Sequence, residues 1–130
     1  MWYEILENNF FIKKLYNKVP ELKNVNISEI NITNEGNKIS IICSLPYYAD
    51  YPPQKWIDSK HNTVFVEIDF FLIQEINIQA IKFDFFKGNI DIFLDENNLI
   101  NVKITGDPKA NFIANSGLIQ SVTGCKVSLE

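Results

Sequence analysis

The chain predicts an α+β fold, predominantly an antiparallel β meander forming a curved sheet with a short N-terminal helical segment packed on it. Two observations carry this reading. Apolar residues recur near a helical period only between Trp2 and Val19, and from Val25 onward they alternate with polar residues in runs separated by turn-forming residues. At 130 residues, 46% of them hydrophobic, the chain has the size of one domain with a core of its own, and residues 1–130 are read as a single unit.

In the helical segment Ile5, Leu6, Ile12, Leu15, Tyr16 and Val19 share a face, Asn8 and Asn9 are placed to interrupt or recap the helix, and Pro20 ends it. That amphipathic face must dock on the sheet. Val25 to Ile32 and Lys38 to Leu45 flank an Asn34-Glu35-Gly36-Asn37 turn and read as a hairpin, and a phase slip between Ile27 and Ile30 predicts a β-bulge. Val64, Val66, Ile68, Phe70 and Leu72 then alternate with Phe65, Glu67, Asp69 and Phe71, which marks a strand with one buried face and one partly wet face. Ile76, Ile78 and Ala80 continue the pattern. Ile90, Ile92 and Leu94, then Ile100, Val102 and Ile104, give further strands delimited by Gly88-Asn89, Glu96-Asn97-Asn98 and Gly106-Asp107-Pro108. The last stretch, Lys109 to Val127, pairs with a bend or bulge marked by Gly117 and Gly124. Inward residues that are Val, Ile, Phe and Leu argue for a filled core over a ligand cup.

The sheet pattern breaks once, between Leu45 and Trp56. Pro46, Pro52 and Pro53 lock φ and remove backbone donors, so no central strand runs here. Tyr47, Tyr48, Tyr51 and Trp56 are too large to float free in water, and this stiff connection is either packed over the core or offered to a partner. Trp56 reads as a plug for the end of the sheet or, with Tyr47, Tyr48, Tyr51 and Lys55, as part of a partner-binding surface.

Charge and composition exclude several classes. A net charge of −4 and a pI near 5.0 disfavour a broad phosphate-binding surface, and the absence of arginine removes bidentate forks for phosphate or carboxylate. No apolar run is long enough to cross a bilayer, and acidic residues stand where a signal peptide carries positive charge, so the chain is expected to remain in the cytoplasm. Cys43 falls in phase with Ile39 and Ile41, far from Cys125, and both thiols are expected to be reduced.

The residues assemble no reaction centre. His61 is the only histidine and reads as polar loop surface, and the glycines never form a phosphate cradle. Glu67 with Asp69, and Asp91 with Asp95, have the spacing of a carboxylate pair or a calcium site, but alternate acidic residues on a strand read first as the solvated face of a sheet. No catalytic residue, metal ligand or cofactor site is assigned.

Met1-Trp2 opening a helical segment that runs to Leu15-Tyr16 and Pro20, the Pro52-Pro53-Gln54-Lys55-Trp56 insert, the Asn62-Thr63-Val64 lead-in to the next strand and the hairpins that follow together resemble the immunity protein 50 family of bacterial polymorphic toxin systems. The resemblance is most specific in the first half and fades after Gly106. It implies a small cytoplasmic α+β protein that binds a cognate toxin domain and blocks it by stoichiometric complex formation, with no catalytic residues. The partner-binding candidates are Tyr47, Tyr48, Tyr51, Lys55 and Trp56 on the insert, with the acidic strand face of Glu67 and Asp69 as the surface for a basic toxin. The alternatives are a small-ligand-binding module, a β-rich interaction protein without a toxin partner, and an enzyme built on His61, Glu67 and Asp69.

Overall fold

The computed structural model describes residues 1–79 and 87–128. Its elements are α1 (Trp2–Ile5), α2 (Phe10–Leu15), β1 (Val25–Thr33), β2 (Lys38–Ser44), α3 (Gln54–Asp58), β3 (Thr63–Gln79), β4 (Lys87–Leu94), β5 (Ile100–Asp107) and β6 (Lys109–Cys125). Every strand pair is antiparallel, as the alternation requires, and the α+β class holds. Ala80, expected to prolong the alternation of β3, lies outside the described residues.

Hairpin pairing produces two meanders, β1-β2-β3 and β4-β5-β6. The curved sheet goes further than a meander: β3 pairs with β6 and β4 with β1, closing a barrel in the order β1-β2-β3-β6-β5-β4. Closure covers sheet edges that a curved open sheet leaves unpaired. The interior is filled by the predicted apolar phase, including Ile27, Ile39, Ile41, Val64, Val66, Ile68, Phe70, Ile92, Val102, Ile104 and Phe112, all buried, with Ile119 buried in place of Leu118, which the alternation points inward. Phe70 meets Phe112 edge-on with ring centroids 5.1 Å apart. So narrow a barrel has room for its own side chains and little else.

Register irregularities fall where the phase slips. The β1 bulge lies between Ile27 and Glu29, and β6 meets β3 with shifts at Glu67/Ile68 and Ile73/Glu75, whereas Gly117 and Gly124, which the sequence marks for a bend, sit in regular register opposite Phe70 and Val64. Ile76, Ile78 and Leu94 are exposed although the alternation places them inward, and Leu72 departs from its predicted inward position too. Its φ of 55° turns the side chain out to 55% exposure, its N–H donates to the Asn37 carbonyl at 3.0 Å, and the β2–β3 ladder ends one residue earlier at Phe71. Gly88-Asn89 is not a turn but part of β4. Gly88 pairs with Gly106, and a Cβ on Gly88 would collide with the Thr105 carbonyl, so this glycine serves a close strand approach.

The N-terminal helical pattern divides, as the asparagines suggest, and ends at Leu15, earlier than Val19. Asn8 takes φ 58°, and the Asn9 side chain donates to the Tyr3 and Leu6 carbonyls at 2.9 and 3.1 Å, satisfying acceptors at the end of α1. This segment lies across the gap between β4 and β6. The β5–β6 ladder stops at Ala114, and the edge of β6 beyond it is taken by Glu7, whose N–H donates to Gly117 and whose carbonyl accepts from Ile119, both at 3.0 Å. On the other side the Leu22 carbonyl accepts from the Ile90 N–H at 2.8 Å, and the Trp2 indole donates to Pro20 at 3.0 Å. No helix among the described residues is long and apolar enough to cross a membrane.

Leu6 is seated beside Phe70 only because residue 117 lacks a side chain. A Cβ there would stand 2.9 Å from Leu6 Cδ2 and 3.0 Å from Phe70 Cδ1. Gly117→Ala is therefore expected to lower stability by about 1 to 3 kcal/mol through overpacking, measured by denaturant unfolding. A variant that unfolds like the parent would show that Leu6 does not occupy this seat.

Candidate partner interface

The aromatic insert is fixed at both ends and in its middle. Leu45 is buried and donates its N–H to Val64 at 2.8 Å, which clamps the base of the connection between β2 and β3. Ala49 is buried midway. Four hydrogen bonds tie the span between to the end of α2 and the chain that follows it: the Tyr16 hydroxyl donates to the Tyr47 carbonyl at 2.6 Å, the Tyr51 N–H to the Leu15 carbonyl at 2.9 Å, the Tyr51 hydroxyl to the Asn17 side-chain oxygen at 2.5 Å, and the Asn17 N–H to the Asp50 carboxylate at 2.9 Å. Burial, then the charge of Asp50 and the neighbouring Tyr48, hold the Tyr16 phenol well above its ordinary pKa, so it remains a neutral donor.

Pro52 and Pro53 do more than stiffen the crossing. Pro53, with φ −59°, starts α3, and its carbonyl accepts from the Trp56 and Ile57 N–H groups at 2.9 and 3.3 Å. The Gln54 side chain donates to Asp58 one turn on at 2.9 Å. This short helix is absent from the period-based reading. Its signals are the Pro-Pro start and the Gln54/Asp58 pair at i, i+4.

Trp56 is half-buried at the end of the barrel, with ring centroids 6.1 Å from Phe11, 6.3 Å from Tyr48 and 6.2 Å from His61. Beneath it lies Gly124, where a Cβ would come within 2.6 Å of the indole and collide with His61 Nδ1. His61 is thus not polar loop surface, as its position beside Asn62 suggests. Its ring packs into this cluster, and Nδ1 is sealed from water without a hydrogen-bond partner. The Tyr48 hydroxyl is buried and unpaired in the same way, and burial raises its pKa.

Around this cluster large apolar side chains stand in water. Tyr47 is 69% exposed, Tyr51 60%, Ile57 53% and Phe11 41%, while Phe10 lies under the Lys14 ammonium at 4.3 Å from its ring centroid. Lys55 is exposed on α3. Phe10, Phe11 and Ile57 are absent from the sequence-derived candidates. Three consecutive apolar residues, Phe10-Phe11-Ile12, on so short a helix cannot all face inward, and that is the signal that identifies them.

Glu67 and Asp69 do not join this surface. They lie on the outer wall of β3, Glu67 about 13 Å along the strand from Thr63, and Asp69 pairs with Ser40 on β2 and Leu118 on β6. The expected solvated face is half dry: Asp69 is 3% exposed and its Oδ1 has no hydrogen-bond partner. Desolvation, the Asp69 charge and a hydrogen bond with Asp69 raise the Glu67 pKa, with Lys38 opposing and Glu29 adding to the effect. Asp95 turns its carboxylate on its own turn, accepting from the Asn101 side chain at 2.8 Å and from the Leu99 and Asn97 N–H groups at 3.1 and 2.8 Å, which lower its pKa. Among the described residues no group of three or more His, Cys, Asp or Glu could hold a metal ion. Cys43 is buried and its thiol is pushed up to about 12 by burial, Cys125 is exposed, and both are free.

Two outcomes follow. Trp56→Ala should cost about 2 to 3 kcal/mol in unfolding free energy, below the cost of a fully buried tryptophan because part of the indole is already wet; loss of less than about 0.5 kcal/mol would place the indole outside the packed end of the barrel. Glu67 has a raised folded-state pKa, so its contribution is fully present below the unfolded value of about 4.3 and is lost as pH rises through the folded value. Glu67→Gln should therefore raise the melting midpoint at neutral pH, with the gain fading toward pH of about 4; an equal gain at both pH values would remove titration of Glu67 as its cause.

The immunity protein 50 family matches residues 8–125, a span from the break between α1 and α2 to the last residue of β6. No curated protein and no solved structure gives a significant match. The matched span takes in α2, the aromatic insert and all six strands that hold it, and on that extent the chain belongs to the immunity protein 50 family.

Proposed function

We propose that the protein neutralises a cognate bacterial toxin domain in the cytoplasm of the producing cell by forming a stoichiometric complex, with the aromatic insert as the docking surface. The observation that carries this reading is the exposure of Tyr47 and Tyr51 on a backbone held by hydrogen bonds donated by Tyr16 and Asn17 and accepted by the Leu15 carbonyl. Exposed apolar rings on an ordered backbone lose little conformational freedom on binding, which favours them as anchors. Membership of an immunity family supports a toxin as the partner. Inhibition of this kind requires a complementary surface of about 1,200 to 2,000 Å² and no reaction centre. Tyr47, Tyr51 and Phe11 are the anchors, Trp56 and Tyr48 brace them from behind, and Lys55 lies on their rim.

Co-expression with the toxin domain encoded beside the gene, followed by pull-down, is expected to rescue growth and recover a one-to-one complex. Rescue without a complex would reject binding as the mechanism. Replacing Tyr47 and Tyr51 together by alanine is expected to weaken the complex by about 30-fold or more while the melting midpoint stays near that of the parent. Unchanged affinity would move the docking surface elsewhere on the barrel.

A further inference from the structure

The chain segregates its charge. Residues 10–18 and 45–62, which build the aromatic surface, carry Lys13, Lys14, Lys18, Lys55 and Lys60 against Asp50 and Asp58, a net charge of +3. With the whole chain at −4, the remainder carries −7. All five lysines are exposed, and among the described residues the one ion pair is Lys23 with Glu21, so none of the five is neutralised by a carboxylate partner. The two aspartates are already engaged, Asp50 by the Asn17 N–H and Asp58 by the Gln54 side chain. The surface also runs into a groove of about 500 Å³ lined by Lys18, Val19, Pro46 and Tyr47 and by the Glu21–Lys23 ion pair, which adds no net charge.

We propose, building on the toxin-binding reading, that the partner presents an acidic face to this end of the barrel: carboxylates set around an apolar ridge, meeting Lys14, Lys18 and Lys55 while the ridge packs against Tyr47, Tyr51 and Phe11. A positive rim around an apolar centre attracts that face and steers its approach, and the net negative charge of the rest of the chain disfavours other approaches, so charge sets orientation as well as rate. A nucleic acid is the weaker occupant. Arginine is absent, and the −7 remainder opposes the long phosphate contacts on which such binding depends.

The test compares the parent with K14E/K18E/K55E, and with Lys103→Glu on the far wall of β5 as a control, in titration calorimetry against the adjacent toxin domain. The triple variant is expected to bind at least about 100-fold more weakly. The control should bind like the parent, and the parent's affinity should fall as salt shortens the screening length below about 8 Å. K14Q/K18Q/K55Q, which removes the charge without reversing it, should fall between, and melting curves of all variants verify the fold. If the parent binds and the triple variant binds equally, the acidic-face proposal fails while toxin binding stands. If the parent does not bind the toxin domain at all, the toxin-binding reading fails and takes this one with it. Tight binding of a labelled single-stranded RNA by the parent, abolished in the triple variant, would assign the surface to nucleic acid and overturn the proposal.

Discussion

A strand that outruns its neighbour leaves a row of backbone donors and acceptors without partners along its edge. β6 does this beyond Ala114, where β5 stops pairing, and β4 does it beyond its two-residue ladder with β1. The segment ahead of β1 supplies what is missing. Glu7 gives β6 a one-residue partner at Gly117 and Ile119, and Leu22 accepts from Ile90. The side-chain amide of Asn8 adds a bond to the Ile119 carbonyl at 2.7 Å. Leu6, Ile12 and Leu15 are buried because this backbone pairing draws them in.

The same arrangement locates the aromatic surface. Once Glu7 is fixed on β6, the turn at Asn8 and Asn9 directs α2 past the end of the barrel, and the residues after it reach the insert with Tyr16 and Asn17 as donors. The insert thus takes its order from a segment that is itself part of the barrel closure. Orphaned polar atoms at Tyr48 and His61 lie behind the exposed rings. Burying such atoms unpaired costs stability, and here the cost is borne where tight support of a surface competes with ideal packing.

Much of the fold was legible because period-two alternation is a direct record of which face meets the core. The β1 bulge could be read from the Ile27 to Ile30 phase slip, and the break at Asn8 from two adjacent asparagines. Closure was not legible, since the pairings of β3 with β6 and β4 with β1 involve residues far apart in sequence and leave no local signature. Gly88 misled for a related reason: a glycine needed by a neighbouring backbone looks like a glycine needed by a turn. At the candidate surface, proline and tyrosine density marked the insert, whereas the packing of the His61 ring and the burial of Asp69 depend on Gly124, Trp56 and the flanking strands, which meet these residues only in three dimensions.

The Asn8–Ile119 hydrogen bond spans 111 positions of chain, and this sets when the protein can exist as well as how it holds together. During synthesis at about 5 to 20 residues per second, the N-terminal segment emerges first and waits, its apolar side chains without a seat, until residues 117–119 have left the ribosome. Contacts so distant along the chain also slow the final closure. The aromatic surface, ordered in part through that segment, therefore matures only after residues 117–119 have emerged and closed on it.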